Sequence, residues 1–290
     1  MDKNIKIIID KKLNGKKIKD IILEDIGVSY GTLKSLKHIE SSVLLNNEPV
    51  YVTKTVSEND LLIIDIKDKN SDNISPQNIP LDVLYEDEEI IALNKPSAMP
   101  THPSHNHHYD TLANALMYYY KDKKFTFRAI TRLDRDTTGI VLVAKNPLSA
   151  QILGNDIRNK KIKKEYIALI NGIIDNKKGI ISAPIRRKEE GIILRCVAPD
   201  GKEAHTEYEI LAEKNGLSLI KLIPHTGRTH QLRVHLSHLG FPICGDDLYG
   251  AKQTNERTRL HCRKLIFLHP VTKNEIVIEA PVPEDISDLI

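Results

Sequence analysis

The chain has 290 residues, enough for one or two domains at ~100–200 residues each. With 40% hydrophobic and 28% charged residues, it is not collagen-like, fully disordered or disulfide-dense. Net charge is only +3, and the three cysteines, Cys196, Cys244 and Cys262, are odd in number and far apart. They argue for a reducing cytosol and against a disulfide framework or a CxxC metal site.

No apolar run approaches the ~20 residues a membrane helix needs. Met1 to Lys19 alternates Lys with Ile and lacks the apolar stretch of a signal peptide, so a cytoplasmic protein is expected. Trp is absent and Phe is scarce, so the core must rest on Ile, Leu and Val.

Residues 1–66 read as a small α/β module. Ile18 to Leu23, with Leu33 and Leu36, show helical spacing, and Gly27 and Gly31 punctuate it. Ser42 to Val50 predicts a strand, an Asn46-Asn47 turn and a second strand; Asp60 to Ile66 predicts a third. Residues 67–80 are polar with two prolines and read as a linker. Residues 81–290 mix short strands with a few helices. Strands are expected at Ile90 to Leu93, Gly139 to Ala144, Tyr166 to Ile170, Leu217 to Ile223 and Glu275 to Ile278. Helices are expected at Thr111 to Lys121, Ser149 to Asn159 and Thr229 to Leu239. The irregular gaps argue against a βαβ repeat and for an α+β domain around a mixed, largely antiparallel sheet.

Charge is uneven along the chain. Residues 156–195 carry net +6, and residues 221–270 carry net +5 with six histidines. Such asymmetry suits basic surfaces facing a polyanion, although charge runs are as often plain solvated faces. The stretch Thr101 to His108 is His-rich, but it lacks the patterned spacing of a zinc site and reads as a polar loop. GxGxxG, GxxxxGK[ST], HExxH and GxSxG are all missing, so no nucleotide cofactor, metal or serine nucleophile is expected.

Three segments carry candidate chemistry. In Arg132-Leu133-Asp134-Arg135-Asp136-Thr137-Thr138-Gly139, a carboxylate lies between two arginines ahead of a turn. Flanking cations would keep Asp134 ionised, fit to act as a nucleophile or electrostatic partner and ill suited as a general acid. A turn-capping Asp beside a surface Arg is the plain alternative. In Thr226-Gly227-Arg228-Thr229-His230-Gln231-Leu232-Arg233, a Thr-Gly turn opens a helix whose first turns bear Arg228, His230 and Arg233. That is a natural site for an anion, either a phosphate or Asp134 itself. Lys163-Lys164-Glu165-Tyr166 starts a strand at a basic run; a Tyr there is more often core than catalytic.

Taken together, and in this order, the segments resemble the RluA family of RNA pseudouridine synthases. The resemblance spans residues 81–290: Leu93-Asn94-Lys95-Pro96-Ser97, the Asp134 segment, Lys164-Glu165-Tyr166 with Gly172, then Thr226 to Leu236. It continues through Pro242, Gly245-Asp246, Leu248-Tyr249-Gly250, Leu260-His261 and His269-Pro270. Residues 1–66 are similar to the alpha-L type of RNA-binding module, although they carry no net charge.

The resemblance implies a pseudouridine synthase catalytic domain that isomerises uridine in structured RNA without cofactor or metal, reaching the base by flipping it out. Large-subunit ribosomal RNA is the expected substrate, with tRNA as the alternative; no membrane and no obligate protein partner is expected, so a monomer. Asp134 is the implied nucleophile, Arg233 its partner and Tyr166 the ring that stacks on uracil. Arg132 would fill the gap left by the base, and Leu260 would floor the pocket. Arg228 and Lys164 would belong to the phosphate track, and Lys34 and Lys37 would face RNA from the N-terminal module. The sequence departs from the family at Thr131, usually His, and at Thr138, usually Ser; the first change removes a ring expected near the flipped base. Two competing readings are a binding-only assembly factor and an N-glycosidic hydrolase using Asp134 with Asp136. The hydrolase is disfavoured because nothing in the sequence raises the pKa of Asp136.

Overall fold

The computed structural model describes residues 1–36, 39, 41–68, 73–250 and 256–288. Strand β1 (Lys3–Ile8) alternates half-buried Ile5 and Ile7 with exposed Asn4, Lys6 and Ile8. Helix α1 (Ile18–Asp20) runs on through a π-helical turn (Ile21–Asp25), and α2 (Tyr30–Leu36) follows. Strands β2 (Val43–Leu45) and β3 (Glu48–Pro49) form a hairpin. Its two turn residues, Asn46 and Asn47, both have positive φ, which is what a two-residue primed turn requires. Strand β4 (Leu61–Ile66) completes an antiparallel sheet in the order β1-β4-β2-β3. Ile18, Ile21, Ile22, Leu33 and Leu36 pack from the helices onto Val43, Leu45, Leu62 and Ile64.

The remaining strands are β5 (Val83–Glu86), β6 (Ile90–Lys95), β7 (Thr138–Ala144), β8 (Lys163–Asn171), β9 (Lys178–Ser182), β10 (Ile185–Arg187), β11 (Arg195–Val197), β12 (His205–Lys214), β13 (Leu217–Pro224), β14 (Leu260–Leu268) and β15 (Glu275–Glu279). The helices are α3 (Leu112–Tyr119), α4 (Pro147–Arg158), α5 (Gln231–His238) and α6 (Glu284–Ser287). β10 and β11 form a separate hairpin. The others build a nine-stranded sheet in the order β5-β6-β7-β14-β8-β13-β12-β9, with β15 paired to β14. Every pairing is antiparallel except β7 with β14, which is parallel at Thr138–His261 and Gly139–Cys262. The expected α+β architecture with a mixed, largely antiparallel sheet is therefore the one observed.

Helix α4 starts two residues before the expected Ser149, because Asn146 caps it by accepting from the Ser149 amide at 2.9 Å and Pro147 takes the first helical position. α5 starts two residues later than expected, at Gln231, which leaves Arg228 and Thr229 on the preceding loop. β7 is buried along its whole length, hence its unbroken apolar sequence. β14 follows no such pattern, since buried His261 and the Arg263-Lys264 pair interrupt its apolar residues. Yet β14 lies between β7 and β8, and so brings the Asp134 loop beside the start of β8.

The two sheets touch through α4. Leu148 packs into the N-terminal core, and Gln151 accepts from the Ser29 amide at 2.7 Å while donating to the Gly27 carbonyl. Lys3 pairs with Glu89. Within residues 67–80, Asp68 is buried and pairs with Arg128, and the Ser75 carbonyl accepts from Asn114 at 2.7 Å.

Candidate active site

A cleft of about 350 Å³, within the range of small-molecule sites, opens between the Asp134 loop, the start of β8, the loop before α5 and the first residue of β14. Its lining includes Asp134, Tyr166, Arg233, Arg132, Arg228, Lys164 and Leu260. These seven positions come from four segments spread over more than 120 residues. Lys34 is exposed on α2 and does not line the cleft, and Lys37 lies outside the described residues.

The Asp134 loop is held by its surroundings. Lys95, fully buried at the end of β6, donates to the carbonyls of Pro96 (2.8 Å), Met99 (2.8 Å) and Arg135 (2.9 Å). Burial pulls its ammonium down to about 7, against the opposing pull of Asp136 and Asp134. Thr101 donates to the Leu133 carbonyl at 3.0 Å, and Ser97 donates to that of Asp136 at 3.2 Å. At Gly139 the loop enters β7 with φ +105°, and a Cβ there would sit 2.2 Å from the Cys262 carbonyl oxygen. Only glycine fits this backbone crossing.

The arginines flanking Asp134 do not partner it. Arg135 turns to Asp136, with Nε 3.0 Å from Oδ1, and Arg132 is exposed at the cleft. The cation at Asp134 comes instead from α5: Arg233 Nη1 lies 3.6 Å from Oδ2. Arg233 in turn makes a two-pronged bond to fully buried Asp246, Nε–Oδ2 at 2.8 Å and Nη2–Oδ1 at 2.7 Å. Burial opposes its charge, but the Asp246 bonds win and raise its pKa. Its guanidinium also lies 5.0 Å above the Tyr249 ring. His230, buried just ahead of α5, places Nε2 3.8 Å from the same Oδ2.

Tyr166 is buried on β8 opposite Cys262 of β14, with its ring lining the cleft. Burial pushes its hydroxyl well above the usual tyrosine range, and the Cys262 thiol up to about 12, so neither ionises near neutrality. Burial also lowers Lys164. Arg228 sends its Nε to the Glu203 carbonyl at 2.9 Å. Gln231 ties the loop before α5 to β12 through the His205 carbonyl and the Thr206 hydroxyl, both at 3.0 Å.

Thr131 does not line the cleft. It is buried, and its hydroxyl accepts from the Leu142 amide at 2.9 Å. The side chain at this position points into the loop's packing. Spacing alone gave no role to Lys95, Asp246 or Tyr249, and it placed His230 only within an anion site at the start of a helix. Their signal is the combination of polarity with burial, which appears only in three dimensions. Among the described residues no group of three or more His, Cys, Asp or Glu is placed to hold a metal ion. No described helix is long and apolar enough to cross a membrane.

Comparison with known proteins identifies the family of the chain. Residues 89–238 match the family of RNA pseudouridylate synthases. The chain is 37% identical over 270 residues to the uncharacterised RNA pseudouridine synthase YjbO of Bacillus subtilis (strain 168), covering 92% of this chain and 95% of that one. It is 33% identical to ribosomal large subunit pseudouridine synthase D of Blochmanniella floridana, over 93% of this chain and 92% of that one. Among solved structures, human RNA pseudouridylate synthase domain containing 1 superposes with a TM-score of 0.62 at 27% identity, over 74% of this chain and 88% of that one. The chain belongs to the RNA pseudouridine synthases, in the RluA family, and is an RNA-modifying isomerase.

Proposed function

We propose that the chain converts specific uridines of large-subunit ribosomal RNA to pseudouridine, with Asp134 as nucleophile toward a base flipped into the cleft. The observation that carries this reading is the meeting of Asp134, Tyr166 and Arg233 at one cleft. A carboxylate held by a buried arginine, which is itself held by a buried carboxylate, has a defined position and one oxygen on the guanidinium. Its other oxygen is available to donate an electron pair. In this reading an Asp134 oxygen bonds to ribose C1′ as the C1′–N1 bond breaks, and the electron pair leaves with uracil. The base turns, C5 bonds to C1′, and the carboxylate is released. The C5 proton departs and N1 gains one, so the RNA keeps its mass.

Tyr166 supplies the aromatic face for the uracil and Leu260 its apolar floor. Exposed Arg132 fills the space the base vacates. Arg228 and Lys164 meet backbone phosphates, and Lys34 and Lys37 extend that contact on the N-terminal module, which acts as an anchor docked on α4. A ribosomal substrate is favoured by the similarity to a ribosomal large subunit enzyme along nearly the whole chain. The protein works as a monomer in the cytoplasm.

A transcriptome-wide pseudouridine map tests this reading in wild-type, deletion and Asp134→Ala cells. We expect the same one or few large-subunit positions to lose modification in both altered strains. Losses confined to tRNA would overturn the substrate, and an unchanged map in Asp134→Ala cells would overturn the nucleophile.

A further inference from the structure

We propose that His230 is a positioning residue for Asp134, held by Tyr249 as a neutral Nε2–H donor toward Oδ2; the proposal rests on Asp134 being the nucleophile. His230 has left-handed backbone, φ 56° and ψ 20°, and its side chain makes no helix-capping bond. Strain of this kind collects where a side chain must point in one direction. The buried ring places Nδ1 2.7 Å from the Tyr249 hydroxyl and Nε2 3.8 Å from Asp134 Oδ2. The Tyr249 oxygen already accepts from the Arg195 backbone amide at 3.0 Å. With its own proton given to Nδ1, the hydroxyl selects the tautomer that carries the single proton of a neutral imidazole on Nε2, facing Asp134; this donor direction is part of the proposal.

Tyr249 supports both groups that converge on Oδ2. Its ring lies under the Arg233 guanidinium and meets His230 edge-on, with centroids 5.6 Å apart. The Ser237 hydroxyl fixes its backbone, donating to the Tyr249 carbonyl at 2.6 Å.

A neutral donor suits the chemistry. Asp134 gives up its negative charge as its oxygen bonds to C1′. A second cation at Oδ2 would stabilise the starting carboxylate more than the ester it becomes, and so raise the barrier. An uncharged N–H holds the side-chain angle with less of that penalty. The groups facing His230 are Asp134, Asp246, Arg233, Arg195 and Tyr249. Burial is the largest influence and lowers its pKa below the usual histidine value, opposed by Asp134 and reinforced by Arg233 and Arg195. Protonation in acid adds the unwanted second cation.

The test is the pH dependence of kcat and KM on a large-subunit RNA transcript for wild type, His230→Ala, His230→Gln and Tyr249→Phe, with Asp134→Asn as control. His230→Ala should lower kcat about thirtyfold and change KM less than about threefold. Tyr249→Phe, which keeps the ring and loses only the hydroxyl, should lower kcat about tenfold. Gln offers an amide N–H at the reach of Nε2 and does not titrate. His230→Gln should therefore recover most of the Ala loss and move the acidic fall in kcat to lower pH. If His230→Ala does not fold, the near-isosteric Gln and Phe variants carry the test. Wild-type kcat in Tyr249→Phe and His230→Ala overturns the proposal, as does a loss with no Gln rescue and an unchanged pH profile. An active Asp134→Asn enzyme instead overturns the nucleophile assignment beneath it.

Discussion

The N-terminal sheet, with its outer strands β1 and β3 partly or wholly exposed, and the nine-stranded sheet with α5 and its loops bury opposite materials. The first packs Ile, Leu and Val from both helices onto Val43, Leu45, Leu62 and Ile64. The second buries Lys95, His230, Arg233, His235, Asp246 and His261 within its apolar frame. Burying such groups is costly unless each finds a partner. Most do: Lys95 has three carbonyls, Arg233 has Asp246, and His235 lies 2.9 Å from both the Thr206 hydroxyl and the Ala183 carbonyl; His261 has the Thr138 hydroxyl 2.8 Å from Nδ1, while its buried Nε2 has no partner among the described residues. An apolar core is enough to hold a fold. A partnered polar core holds particular atoms in particular places; here His230 and Arg233 converge on Asp134, and Lys95 holds its loop.

The largest expected effect comes from separating one of these partners. Asp246→Ala leaves Arg233 buried without its carboxylate and should cost about 3–5 kcal/mol in denaturant unfolding. Turnover should fall with it, because Asp134 loses a fixed guanidinium. A loss under about 1 kcal/mol would mean that water replaces the partner and that the polar core is not closed. Ile64→Ala in the N-terminal core should cost about 2–4 kcal/mol, as a cavity does. At saturating RNA its kcat should remain that of wild type; a fall would mean that the two regions do not divide support and chemistry.

A subtler effect separates the regions by pH. Burial lowers His261 from 6.5 to about 4. The unfolded chain then binds the proton more readily, so this residue's contribution to stability is full above about 6.5 and is lost as pH falls toward about 4. His261→Asn should flatten the stability profile across that window, and an unaltered slope would contradict the assignment. Smallest of all, Arg135→Ala removes an exposed pair with Asp136 and should change stability by no more than about 1 kcal/mol. Set against Arg233, which reaches Asp134 at 3.6 Å from 99 positions away in sequence, this contrast shows that flanking charges did not identify the partner of Asp134.

The same contrast explains what could be read from sequence. Apolar runs gave β6, β7, β8 and β13, and the Asn46-Asn47 pair gave its hairpin, because these elements obey local periodicity and turn chemistry. The motifs that hold Asp134, Tyr166, Arg233, Arg132, Arg228, Lys164 and Leu260 are legible in the sequence, and these residues line one cleft. β14 was invisible because its core positions include a histidine and a cysteine. The Asp246 bridge, the Tyr249 platform and the inward turn of Thr131 were invisible because pairing across the fold leaves no local periodicity. Arg132 and Arg135 do not help Asp134: Arg135 pairs with its neighbour Asp136, and the cation at Asp134 comes from Arg233.

Under the proposed function, Asp134 performs an isomerisation. The most direct measurement is tritium release from C5 of uridine in a labelled large-subunit ribosomal RNA transcript, with free uracil assayed in parallel, for wild type and Asp134→Asn. The wild type should release tritium without free uracil, and Asp134→Asn should release less than about one per cent as much at nearly unchanged RNA affinity. Release by Asp134→Asn at a substantial fraction of the wild-type rate, or free uracil from either protein, would contradict it.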